Sequence, residues 1–121
     1  MLQYQELSDR IVPALCRVHR LQGPGLLENV YEQALSVELS HLGIPHVCQQ
    51  AYPVYYRKKK VGEYFADLVV DNKIILELKS VTKLNYSMEA QLLNYLGISG
   101  LRVGYLVNFR NVSLQRKRFF V

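Results

Sequence analysis

Apolar residues recur at helical spacing along the first third of the chain, and the period then shortens to that of strands. Ile11, Leu15 and Val18 share one face of a stretch that Ser8 or Asp9 can cap, which predicts a first helix running to about Arg20. Pro13 is awkward there, because proline is easy in a first turn and kinks a helix any deeper. Gln22-Gly23-Pro24-Gly25 breaks the chain, after which Leu27, Tyr31, Ala34, Leu35, Leu39 and Leu42 define a second helix. Gly43 at its C′ position and Pro45 beyond it mark its end. Val47 to Tyr56, Val61 to Val70 and Ile74 to Lys79 are rich in β-branched and aromatic residues and predict three strands joined by two hairpins. Pro53 makes the first of these an edge strand or a bulged one. A third helix starts near Ser87 as N-cap, with Glu89 in its first turn, and closes at Gly100. Val103 to Phe109 reads as a buried strand and Ser113 to Val121 as a last strand with its bases pointing outward. This order describes a mixed α/β domain whose third helix crosses over to bring a late strand beside the hairpin strands.

Composition narrows the class. A chain of 121 residues, 50% hydrophobic, with 7 Gly and 4 Pro, suits one domain over residues 1–121 and excludes a disordered or low-complexity chain. Every apolar run is interrupted well short of the roughly 20 residues that cross a bilayer, so no membrane span is expected. The first residues carry neither a basic nor an apolar signal segment, and Cys16 and Cys48 are too far apart for a CxxC site. A reduced cytoplasmic protein is the expectation.

Charge is uneven along the chain. Residues 1–50 hold only three of the 15 Lys and Arg residues but half of the 10 acids. Two basic clusters, Arg57-Lys58-Lys59-Lys60 and Arg116-Lys117-Arg118, would attract a polyanion by counterion release, without sequence preference. Read locally, the same clusters are a solvated hairpin tip and a soluble tail.

Asp67, Glu77 and Lys79 are the charges that look out of place, because each interrupts a strand that otherwise reads as core. Glu77 and Lys79 share a face. Asp67 depends on the hairpin register. A two-residue turn, Asp71-Asn72, turns it away from Glu77, whereas a three-residue loop, Asp71-Asn72-Lys73, puts it directly opposite. In the second register two carboxylates lie close enough to repel unless a cation sits between them, and oxygen ligands of this type suit Mg²⁺. Lys79 beside them would orient a water or stabilise charge on a phosphate. An internal salt-bridge set on a strand face is the plainer alternative.

Two further segments bear on that choice. Gly25-Leu26-Leu27-Glu28-Asn29-Val30-Tyr31 spells Gly-x-x-Glu-x-x-Tyr, and Gln91-Leu92-Leu93-Asn94-Tyr95 spells Gln-x-x-x-Tyr. With Phe65-Ala66-Asp67 and Glu77-Leu78-Lys79, in this order, the chain resembles the GxxExxY family, a branch of the PD-(D/E)XK nuclease superfamily close to the RecB-like nucleases. The resemblance runs from about Leu7 to Phe109 and departs from the superfamily motif at Ala66, where proline is usual. It implies a restriction-endonuclease-like α-β-β-β-α-β core and a metal-dependent nuclease acting on nucleic acid, with DNA the expected substrate. Glu28, Asp67 and Glu77 would then bind Mg²⁺ or Mn²⁺, with Lys79 the catalytic lysine and Gln91 at the edge of the site. Tyr31 and Tyr95 would pack nearby, and His19 is a candidate accessory ligand or phosphate contact. The helical spacing of Glu28, Tyr31 and Leu35 puts this acid on a stripe that otherwise faces the core. So small a domain grips little of a duplex, which leaves room for a homodimer or a larger protein partner. An inactive nucleic-acid-binding or protein-interaction module on the same fold is the alternative.

Overall fold

The computed structural model describes residues 3–121 and has the order α1 (Gln5–Gln22), α2 (Glu28–His41), β1 (His46–Tyr56), β2 (Lys59–Val70), β3 (Ile74–Lys79), α3 (Tyr86–Ser99), β4 (Val103–Asn108), β5 (Gln115–Phe120). The five strands form one sheet in the order β1-β2-β3-β4-β5. Neighbours are antiparallel except β3 and β4, which run parallel because α3 crosses over between them. The α/β architecture expected from the sequence is the one observed.

Helices cover both faces. On one, Ile11, Leu15 and Val18 of α1 and Tyr31, Leu35 and Leu39 of α2 pack on Leu68, Val70, Leu76, Leu78 and Val107. On the other, Leu92, Tyr95 and Leu96 of α3 pack on Val69, Ile75 and Leu106. Gly104 permits the close approach of α3, since a Cβ there would lie 2.8 Å from Leu92 Cδ1.

Several local expectations shift. α1 begins at Gln5 after Tyr4 in the left-handed region, so neither Ser8 nor Asp9 is its cap, and Pro13 lies inside it. Pro13 and Asp9 are both exposed, so the carbonyl that loses its helical partner faces water. Leu27 (74% exposed) and Leu42 leave the apolar stripe of α2, because they stand at its two ends where the sheet no longer covers them. Asn85, not Ser87, caps α3: its side chain accepts the Met88 N–H at 3.0 Å. Pro53 does sit on an edge strand, and the β1–β2 register slips by one residue at Val54/Tyr55. In the second hairpin Val70 pairs with Ile74, the register of the three-residue loop.

Candidate active site

The pairing of β2 with β3 runs from Val70/Ile74 to Leu68/Leu76, and one step further on the two acids replace the ladder. Glu77 Oε2 accepts the Asp67 backbone N–H at 2.8 Å, and Asp67 Oδ2 accepts the Leu78 N–H at 2.8 Å. Each carboxylate is thus held by the amide of the opposite strand, which fixes both on the end of the ribbon where the strands part. Glu77 is 3% exposed and Asp67 half-buried.

Burial, and then the Asp67 charge, push the Glu77 carboxyl up to about 8, against the pull of the Asp67 amide and Lys79. Burial also raises Asp67, more than the Leu78 amide, Gln49 and Lys79 lower it. Glu28 adds to the upward shift of both. The ion pairs among the described residues are all elsewhere (Arg17–Glu38, Lys60–Glu63, Lys73–Asp71 and Lys117–Glu89), so the pair has no salt-bridged cation. Lys79 donates instead to Gln91 Oε1 at 3.3 Å, bringing β3 and α3 together beside the acids. Tyr95 lies close enough that their charges, after burial, raise its phenol.

Glu28 opens α2 and accepts the Ser80 N–H at 3.2 Å, just past the end of β3. It is exposed, contrary to the expected core-facing stripe, because that stripe begins a turn later with Tyr31. No group of three His, Cys, Asp or Glu side chains among the described residues is spaced to hold a metal ion. Glu28, Asp67 and Glu77 do not form such a group, and one carboxylate oxygen of Glu28 accepts the Ser80 N–H. The Asp67–Glu77 pair itself suits a hard divalent cation: its donors are all oxygens, its charge is uncompensated, and Mg²⁺ commonly binds through one or two carboxylates with water.

The remaining expected residues separate. Tyr31 is fully buried, donates to Gly23 O at 2.6 Å, accepts the Leu26 N–H at 2.9 Å and stacks on Phe109 at 4.3 Å. It clamps the Gly23–Leu26 loop and so sets where α2 starts. His19 contacts Asn111 O at 2.8 Å and packs near Phe109. The Arg116-Lys117-Arg118 cluster does not form a single patch. In a strand neighbouring residues face opposite ways, so Lys117 reaches Glu89 of α3 while Arg118 donates to Gln3 O near α1. Lys60 is bound to Glu63 at 2.6 Å, leaving Arg57, Lys58 and Lys59 at the hairpin tip.

Four residues not singled out from the sequence belong to the site's frame. Gln49, at φ 51°, bonds both Asp67 (3.3 Å) and buried Glu32 (2.5 Å). Fully buried Asn108 accepts the Val81 N–H and donates to Val81 O and Gln115, holding the segment that presents Ser80. Asn108 and Glu32 carried a signal, a polar side chain in an apolar strand and an acid one turn after Glu28. Gln49 and Ser80 carried none.

A family model described as the PD-(D/E)XK nuclease superfamily matches residues 5–119. Among solved structures, the chain is similar to that titled "Crystal structure of SSO0001" (TM-score 0.53, 16% identity), covering 76% of this chain and 48% of the other. The chain thus spans about half the length of that neighbour. An alkaline exonuclease from Laribacter hongkongensis is more distantly alike (TM-score 0.48, 10% identity, 99% of this chain and 72% of the other). No curated protein matches the sequence. With nearly its whole length matched, the chain belongs to the PD-(D/E)XK nuclease superfamily.

Proposed function

We propose that this superfamily member is a divalent-metal-dependent nuclease that hydrolyses phosphodiester bonds of DNA, in the GxxExxY branch beside the RecB-like nucleases. One observation carries the reading: a buried and a half-buried carboxylate, each tethered by the other strand's amide, stand beside a lysine with no cation paired to them. Asp67 and Glu77 would hold Mg²⁺ or Mn²⁺, with Glu28 adding negative potential from the end of α2. A bound ion supplies polarisation of the phosphodiester and a lowered pKa for water. Lys79 places an ammonium where negative charge develops, and Gln91 restrains that ammonium.

Calorimetric titration with Mn²⁺ tests the ligand pair: Asp67→Asn should abolish binding, and undiminished binding would remove the assignment. In a cleavage assay on single-stranded, duplex and branched DNA, Lys79→Ala should cost on the order of 10²–10³ in rate, as loss of a charge-stabilising donor does elsewhere. Cleavage at the original rate would refute Lys79's role. A binding-only module is the second reading, favoured by the absence of a three-acid group among the described residues. It expects salt-sensitive DNA binding with no Mg²⁺-dependent turnover.

A further inference from the structure

Beside the acid pair lies an open cleft of about 420 Å³, within the size range of ligand sites. Tyr64, Tyr86 and Tyr95 line it together with the polar edges of Ser87, Gln91 and Asn94. Gln91 is also the partner of Lys79, so this cleft and the acid site share a wall.

Its aromatic lining arises from an irregularity in the sheet. Cys48 and Leu68 pair and pack on the α1/α2 side. Four residues along each strand, Tyr52 and Tyr64 also pair, and regular alternation would keep them on that side. Instead Tyr52 packs with the α3 cluster, and the Tyr64 ring lies 5.5 Å from that of Tyr95. The face reverses at Gln49, whose backbone is left-handed. This turns the aromatic half of the ribbon towards the side that carries Glu77, Lys79 and Gln91. Tyr86, at the start of α3, is 83% exposed, and Tyr64 47%. The ribbon then continues to the unpaired bases at its tip: Lys59 is five residues from Tyr64, roughly 16 Å at strand rise.

We propose that this cleft stacks an unpaired nucleobase, with the Arg57-Lys58-Lys59 tip following the adjoining phosphates, so that single-stranded polynucleotide is the preferred occupant beside the acid site. Aromatic faces next to polar edges and a basic track are the combination that holds single strands; a duplex keeps its bases stacked on one another and offers the rings nothing. The inference deepens the nuclease reading and rests on it for the nature of the ligand.

The test is binding of fluorescent oligothymidylate by the whole chain in EDTA, against a blunt duplex at equal salt. The single strand should bind more tightly, and Tyr86→Ala should weaken it about tenfold, the scale of one lost base stack. Tyr86→Phe should bind like the original protein, because the ring face and not the hydroxyl is used. The chain has no Trp, so Tyr86→Trp supplies a unique fluorophore that oligothymidylate should quench and the duplex should not. Equal affinity for both DNAs, or unchanged binding after both Tyr86→Ala and Tyr64→Ala, would overturn the stacking cleft while leaving the nuclease reading to its own calorimetric test. Tyr86-dependent binding in a protein that neither takes up Mn²⁺ nor cleaves would keep the cleft and remove the nuclease.

Discussion

The two faces of the sheet are built on opposite principles. The α1/α2 face is a dry core, with Ile11, Leu15, Tyr31, Leu35, Leu39 and Phe109 all fully buried, and the Tyr31 hydroxyl is matched within the protein. The α3 face has a smaller apolar cluster and carries Asp67, Glu77 and Lys79, whose charges are not paired off. One face makes the fold stable, and the other retains electrostatic strain that a ligand can relieve. The lesson is that stability and chemistry are separable here, although β2 and β3 contribute to both.

The contrast breaks most clearly at Tyr31. Tyr31→Ala should destabilise the protein by about 3–5 kcal/mol in denaturant titration, the usual cost of deleting a buried aromatic ring. Tyr31→Phe keeps the stack on Phe109 but strands the Gly23 carbonyl and the Leu26 N–H, so a loss of about 1–3 kcal/mol is expected. A comparable loss is expected for Asn108→Leu, because it orphans the backbone groups of Val81 inside the protein. Hydrogen exchange of the Val81 amide should quicken in that variant, since this side chain accepts it.

On the α3 face the sign reverses. Glu77 has a folded pKa of about 8 against an ordinary 4.5, so its carboxyl is tolerated below 4.5 and the folded state loses stability as pH rises through about 8. Asp67 is raised as well and acts in the same direction. Without divalent ions, the Tm should fall between pH 5 and 9, by about 5 °C or more, and Glu77→Gln should flatten the fall. Added Mg²⁺ should flatten it too, since a bound cation favours the ionised carboxylates. A Tm that rises with pH in the ion-free protein would contradict the uncompensated pair. The smallest effect belongs to the surface: Lys117→Ala removes the bridge to Glu89 and should cost about 0–1 kcal/mol, less at high salt.

Much of the site could be read along the chain, and the reasons are local. Asp67, Glu77 and Lys79 stood out because charge inside an apolar strand needs a partner, whereas Gln91 came only from the Gln-x-x-x-Tyr segment of the family resemblance. Both hairpin registers were compatible with the turn residues. The structure adopts the three-residue loop, with Asp71 and Asn72 both in the left-handed region, and that places the carboxylates opposite one another. Glu28 is exposed although its spacing matches Tyr31 and Leu35, since helical spacing places a residue on a stripe without saying where the neighbouring layer ends. The last basic cluster divides for a related reason: contiguity along a strand is alternation across a sheet, so Lys117 and Arg118 part company.

What the sequence determined by itself is the set of elements, their order and the identity of the acids and lysine, because periodicity, breakers and misplaced charge act over a few residues. The tertiary structure alone decided which oxygens are taken by backbone amides, that one Glu28 oxygen accepts the Ser80 amide, and that Tyr64 and Tyr95 meet on the face of Glu77. The last two outcomes depend on one left-handed residue, Gln49, and on how far a helix is covered by the sheet. Both are set by packing between segments distant in the chain, which no local pattern encodes.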